Sequence, residues 1–159
     1  MVHIREACRE DVGTILYLIR ELAEYEKELD KVETTEEDIL RDGFGSEPKF
    51  NCLIAEKDGK PAGFAIYFFK WSTWTGRATL HLEDLFVLST GRKDGVGTAL
   101  LSRLAQIAIE KECPRFEWDV LDWNELARDF YHRIGAFHKE GWLGYRMEGQ
   151  SIRALADKT

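Results

Sequence analysis

The chain has little of what would mark a secreted, disordered or membrane-spanning protein. Cys8, Cys52 and Cys113 are odd in number and far apart, with no C-x-x-C pair. That excludes a disulfide framework and a thiolate metal site, and the three read as reduced structural thiols. Only 3 prolines occur, without a serine, glutamine or glycine tract, so low-complexity readings drop out. No apolar run approaches the roughly 18 residues of a membrane-spanning helix, and Met1-Val2-His3-Ile4-Arg5-Glu6 lacks the apolar core of a signal peptide. The expected compartment is the cytoplasm, with no membrane partner. His3, His81, His132 and His138 are scattered without metal-ligand spacing, so no metal site is expected; His81 shares strand parity with Glu83. With 159 residues and no internal repeat or linker, one domain spanning 1–159 is expected.

The net charge of -7 is concentrated. Between Glu21 and Asp42 ten acids face three bases, which leaves 19 of each sign elsewhere. A nucleic-acid partner is thereby disfavoured, and a cationic partner competes with the plainer reading of a solvated helix face.

Alternation and helical spacing predict an ordered series of elements. Val2 to Glu6 reads as a strand, and Asp11 as the N-cap of a helix carrying Ile15, Leu18, Ile19, Leu22 and Tyr25 and ending near Leu29. Thr34 and Glu37 resemble a capping box opening a second helix that Gly43 closes. Phe50 to Glu56 and Ala62 to Lys70 flank Asp58-Gly59, a strong hairpin signal, and Arg77 to Val87 follows as a third antiparallel strand. After a glycine turn come a helix from Thr98 to about Glu110, a strand from Arg115 to Leu121, and a short helix capped by Asn124 and closed by Gly135. Two weaker strand-like runs follow, around Phe137 and from Trp142 to Met147. The order implies an α/β fold whose sheet is covered by helices on both faces, with the third meander strand parallel to Arg115–Leu121 through a crossover.

The best chemical signal is Arg92-x-x-Gly95-x-Gly97, placed after a strand and opening a helix. Small residues there let backbone N–H groups approach a phosphate, and the helix N-terminus favours negative charge. A P-loop ending and a three-glycine dinucleotide fingerprint are both missing. Read alone, such a turn is also ordinary punctuation before a helix.

This arrangement resembles motif A of the GCN5-related N-acetyltransferase (GNAT) superfamily, and the element order is similar over nearly the whole chain. Arg20 to Glu26, Asp42-Gly43-Phe44-Gly45, Leu82 to Val87 and Leu121-Asp122-Trp123-Asn124 resemble the spermidine/spermine N-acetyltransferase branch. The last stretch looks closest to the branch's thialysine-acetylating relative. The resemblance implies the GNAT fold, a mixed, mostly antiparallel sheet with a parallel, splayed strand pair, and an acyltransferase that uses acetyl-CoA and no metal. It implies coenzyme contacts at Leu85, Phe86, Val87, Arg92, Lys93, Asp94, Gly95, Val96, Gly97, Thr98, Asn124, Ala127 and Tyr131. Substrate contacts carry over to Tyr25, Glu26, Glu83, Glu117, Trp118 and Asp119, and a homodimer is implied.

Transfer of acetyl from a thioester to an amine needs a neutral nucleophile and somewhere for its proton to go. For an amine of pKa near 10.4 at pH 7, exposing the lone pair costs about 4.6 kcal/mol. By resemblance Glu83 accepts that proton and Tyr131 protonates the departing thiolate; without it, Glu83 reads as a wet strand-end acid and Tyr131 as a packed helix aromatic. Asp84 adjoins Glu83, on the opposite strand face by simple alternation. In the branch's usual Arg-Gly-x-Gly-x-Gly, glycine stands where this chain has Lys93, and Asp94 sets a carboxylate beside the expected phosphates. The function implied is N-acetylation of a small cationic amine, thialysine or a lysine-like amino acid, or a polyamine such as spermidine. A protein or peptide lysine acetyltransferase and a non-catalytic coenzyme A-binding module are the alternatives.

Overall fold

The computed structural model describes residues 1–158 and divides into two compact units, Met1–Asp119 and the chain from Val120 on. The first holds one five-stranded sheet in the order β1 (Val2–Glu6), β2 (Asn51–Lys57), β3 (Lys60–Ser72), β4 (Arg77–Val87), β5 (Arg115–Trp118). Neighbours are antiparallel except β4 and β5, which run parallel from Thr79↔Arg115 to Leu82↔Trp118. That is the mixed sheet and crossover expected from the order of elements. β5 stops at Trp118, short of Leu121, so from Asp84 to Val87 β4 is paired only to β3.

The β2–β3 turn forms where expected, with Asp58 and Gly59 at φ 52° and 77°, the left-handed pair of a tight hairpin. Helix α1 (Val12–Tyr25) buries Ile15 and Leu18 completely. It ends four residues before Leu29 because Lys27 turns left-handed (φ 62°) and the Glu28 and Lys27 N–H groups close back on the Ala23 and Glu24 carbonyls. Helix α2 (Glu36–Phe44) starts one residue later than the sequence suggested. Its capping box is Thr35 with Asp38, joined by Asp38 N–H to Thr35 Oγ1 (3.2 Å) and Thr35 N–H to Asp38 Oδ2 (2.9 Å). Gly43 does not close α2; a Cβ there would lie 2.6 Å from the Phe50 ring, so this glycine makes room for packing.

Alternation splits the sheet's side chains between two layers. Cys52, Ile54, Phe64, Ile66 and Phe86 join Ile15, Leu18 and Ile39 in the core under α1 and α2. Leu53, Ala65, Tyr67, Leu80 and Leu82 are buried on the other side, where α3 (Val96–Glu110) contributes Leu100, Leu104 and Ile107.

Asp11 does not act as the expected side-chain cap of α1. It is 8% exposed and accepts both Arg5 Nη atoms at 2.8 Å and the Cys8 N–H at 2.7 Å, while Arg5 Nε donates to Glu56 at 2.7 Å. Hydrogen bonds from Arg5 hold the Asp11 carboxyl well below its ordinary 3.8, so its stabilisation is complete at neutral pH and is lost as acid protonates it. Arg5→Met leaves this carboxylate buried without its partner and should cost about 2 kcal/mol at pH 7, read as a lower urea midpoint with an unchanged slope. An unchanged midpoint would contradict it.

The second unit contains α4 (Glu125–Arg133) and α5 (Gln150–Ala156). Asn124 caps α4 as expected, accepting the Ala127 N–H at 3.3 Å, and Gly135 follows it at φ 97°. The two strands expected around Phe137 and over Trp142–Met147 are not formed; neither run has a ladder partner, and Phe137, Trp142, Leu143 and Tyr145 are exposed. The unpredicted α5 spans only seven residues, too short for its apolar pair Ile152 and Leu155 to register as a helical period.

Candidate active site

The centre of the site is an irregularity in β4. Ile66 pairs with Asp84 and the next β3 residue, Tyr67, with Leu82, so Glu83 is a surplus residue, a β-bulge. The bulge changes the expected geometry of two neighbouring acids. Asp84, paired with Ile66, takes the α1 side of the sheet, as does His81, paired with Phe68. Glu83 reaches that side too, its Oε1 lying 3.6 Å from His81 Nε2. The Glu83 and Asp84 carboxylates therefore interact instead of facing apart. The His81 ring lies against Phe68 with centroids 4.9 Å apart, and its Nδ1 is buried with no hydrogen-bond partner among the described residues.

Burial, then repulsion from Glu83 and Glu26, pushes the Asp84 carboxyl up from 3.8 to about 6. Glu26, just past the end of α1, is itself raised by burial and by Glu28. Three carboxylates are thus gathered where α1 ends against β4. Tyr25, 42% exposed, stands beside them with its ring 6.0 Å from that of Phe86. Sequence reasoning singled out Tyr25, Glu26 and Glu83 but not Asp84, because a bulge leaves no mark on the local residue pattern.

Glu117 pairs with His81 across the sheet and so shares the α1 side, where Lys70 Nζ is 3.4 Å from its carboxylate. Trp118 pairs with Leu82 on the opposite face and meets Phe116 edge-on, so it does not join the carboxylate group. Asp119 lies just beyond the strand and is exposed.

Past β4 the chain is tied down by the Leu88 N–H to Ala62 carbonyl bond at 2.8 Å and turns into α3. Gly95 supplies the left-handed N-cap (φ 80°), and no side chain caps this helix. Its first internal hydrogen bond runs from Ala99 N–H to the Gly95 carbonyl, so the N–H groups of Val96, Gly97 and Thr98 have no intrahelical acceptor. A Cβ on Gly91 would meet Ala62, Val87 and Val96 at 3.1–3.2 Å, which keeps the turn tight against β3 and β4. The donor set suits a phosphate. Lys93 adopts φ 70°, a left-handed conformation that explains glycine at this place in the branch. Asp94 does not face the helix end; it is paired to Lys57 Nζ of the β2–β3 hairpin.

Arg92 takes a position that its motif did not suggest. Its Nε donates to the Val87 carbonyl at 3.1 Å, and its guanidinium lies 5.2 Å from the Tyr25 ring centre and 5.7 Å from that of Phe86. An expected coenzyme residue and an expected amine residue are thus in contact, at the edge of a cavity of about 300 Å³ lined also by Tyr17, Glu21 and Glu24.

Within the second unit, Tyr131 lies on α4 beside Phe130, ring centres 5.9 Å apart, and burial pushes its phenol above 10. Asn124 and Ala127 form the cap of the same helix. Among the described residues no cluster of His, Cys, Asp and Glu suits a metal ion, and no helix is long and apolar enough to cross a membrane.

Residues 15–136 match the family model described as Acetyltransferase (GNAT) family. The chain belongs to the GNAT acetyltransferase family. It is 45% identical to thialysine N-epsilon-acetyltransferase of Sus scrofa over 99% of this chain and 98% of that protein. It is 40% identical to spermidine/spermine N(1)-acetyltransferase-like protein 1 of Homo sapiens over 96% of this chain and 23% of that longer protein. A solved integron cassette protein from the mobile metagenome of V. cholerae superposes with a TM-score of 0.79 at 29% identity, covering 98% of each chain. GNAT acetyltransferases use acetyl-CoA, whose phosphates fit the open N–H groups that begin α3 in this family member.

Proposed function

We propose that this GNAT enzyme acetylates the primary amine of a small basic metabolite, thialysine or a lysine-like amino acid ahead of spermidine or spermine. The observation that carries the reading is the meeting of Glu26, at the end of α1 next to Tyr25, with Glu83 and Asp84 on the strand that leads into the phosphate-ready start of α3. Carboxylates suit an ammonium through charge pairing, and the Tyr25 ring that borders them already carries one cation, the Arg92 guanidinium. The high identity to a relative named for thialysine supports the order of substrates.

Acetyl-CoA would supply an acetyl group activated as a thioester. In this reading Val96, Gly97 and Thr98 hold its phosphates with backbone N–H groups, Asn124 and Ala127 contribute to coenzyme binding, and backbone N–H groups between Leu85 and Val87, on the side of β4 that β5 leaves unpaired, receive the acetyl oxygen. Tyr25 and Glu26 bind the ammonium, with Glu117 on the same face of the sheet. Glu83 and Asp84 share acceptance of the amine proton. A carboxyl near 6 suits that task, being ionised at neutral pH while a stronger base than an ordinary aspartate. Tyr131 returns a proton to the departing sulfur. The carbon–nitrogen bond forms as the carbon–sulfur bond breaks, and catalysis is mainly proximity and proton management.

The family match crosses the junction at residues 119 and 120, which supports residues 1–159 as one functional domain. Exposed Trp142, Leu143 and Tyr145 support a homodimer, for which sedimentation should give twice the 18.4 kDa chain mass. Free Cys8, Cys52 and Cys113 accord with a cytoplasmic setting.

The deciding experiment follows thiol release from acetyl-CoA with thialysine, lysine, putrescine, spermidine, spermine and a basic peptide side by side. A preference for thialysine or a polyamine is expected. Faster turnover of the peptide would replace this substrate class, and no turnover with any amine would leave a coenzyme-binding module.

A further inference from the structure

Asp94 stands one residue before the glycine that opens α3, so its carboxylate is within a short swing of the three N–H groups that have no acceptor. Gly95 holds the N-cap position itself, where side-chain capping is strongest, but a carboxylate one residue earlier still carries a negative charge that the helix dipole draws toward these groups. Left to itself, Asp94 would be an internal competitor for any phosphate. It does not cap the helix; its carboxylate is paired instead to Lys57, the last residue of β2. The ion pair also raises the Lys57 ammonium pKa. Lys57 is well placed for this: the loop after β4 lies against the turn end of the same hairpin, through Leu88 N–H to Ala62 C=O and the tight fit of Gly91 against Ala62.

We propose that Lys57 is a positioning residue of the coenzyme site, which keeps the phosphate-binding start of α3 open by holding Asp94 away from it. This rests on the acetyltransferase reading above. The pair answers a local problem of this chain, a carboxylate inside a phosphate loop, with a cation delivered from a strand 37 positions earlier in the sequence.

The test is a double-mutant cycle read by calorimetric titration of the full chain with coenzyme A, for wild type, Lys57→Met, Asp94→Asn and the double variant. Freed from Lys57, Asp94 turns onto the helix end and repels phosphate, so Lys57→Met should weaken coenzyme A about tenfold. Asp94→Asn alone should bind at least as tightly as wild type. Adding it to Lys57→Met should return affinity to within about twofold of wild type, since the competitor is then gone. With thialysine as the acceptor, Lys57→Met should raise KM for acetyl-CoA and leave kcat unchanged. Its melting temperature should not fall, because the helix end gains a cap in place of an exposed ion pair. A merely structural Lys57 gives the opposite pattern, a lower melting temperature with coenzyme affinity unchanged, and that would overturn the proposal. So would a double variant as weak as Lys57→Met. If the wild type shows no saturable coenzyme A binding, it is the acetyltransferase reading that fails.

Discussion

Replacing Tyr131 by phenylalanine should lower acetyl transfer by about a hundredfold to a thousandfold while coenzyme A affinity stays as it was. Phenylalanine keeps the ring and its contact with Phe130 and removes only the hydroxyl, so α4 and its Asn124 cap persist. Burial holds the phenol above 10, and the residue therefore keeps a proton to give throughout the working pH range. The loss should appear in kcat and kcat/KM equally, as it does when an interaction made only in the transition state is removed. Thiol release measures the rate and calorimetry the affinity. A Tyr131→Phe enzyme at wild-type speed would mean that the sulfur takes its proton elsewhere.

The carboxylate pair of β4 should trade stability for activity. Between pH 3.8 and about 6 the folded chain keeps a proton on Asp84 that the unfolded chain has released, so stability falls as pH rises through that window and stays lowered above it. Asp84→Asn imitates the protonated form. It should stabilise the fold at pH 7.5 by up to about 3 kcal/mol and bring almost no gain at about pH 3 or below. The same change should reduce kcat/KM at least about tenfold, because one of the two carboxylates proposed to take the amine proton is lost. Glu83→Gln tests the coupling differently. It removes one source of repulsion, so the Asp84 carboxyl drops from about 6 toward its ordinary value and the acid limb of the kcat/KM profile moves to lower pH. Chemical denaturation at two pH values and a pH–rate profile read these outcomes. If Asp84→Asn leaves both stability and rate unchanged at pH 7.5, the acid is neither strained by burial nor used.

What was legible in the sequence was what a few adjacent residues determine. Asp58-Gly59 encodes its turn through left-handed backbone, Asn124 its cap through a short side chain, and Arg92-x-x-Gly95-x-Gly97 a phosphate-ready helix start through missing side chains. The parallel β4–β5 pair followed from chain order, since an intervening helix returns the strand in the same direction. What stayed hidden depends on partners far apart in the chain. Nothing near Glu83 announces a bulge, nothing near Asp94 points to Lys57, and nothing near Arg92 says that its guanidinium rests on Tyr25. The runs at Phe137 and Trp142–Met147 have the composition of strands, but composition supplies no neighbouring backbone to pair with.

Skipping Glu83 restores an unbroken alternation along β4. Leu80 and Leu82 face one layer, His81 and Asp84 the other, then Leu85 and Phe86 continue the rhythm, each opposite its β3 partner. The sheet's zipper is therefore complete without this residue, and a chain lacking it could still close both halves in register. Of the two acids in the proposed reaction, Asp84 is held by the ladder and Glu83 is not, so a substitution at position 83 should change reactivity while the β3–β4 register stays as it is.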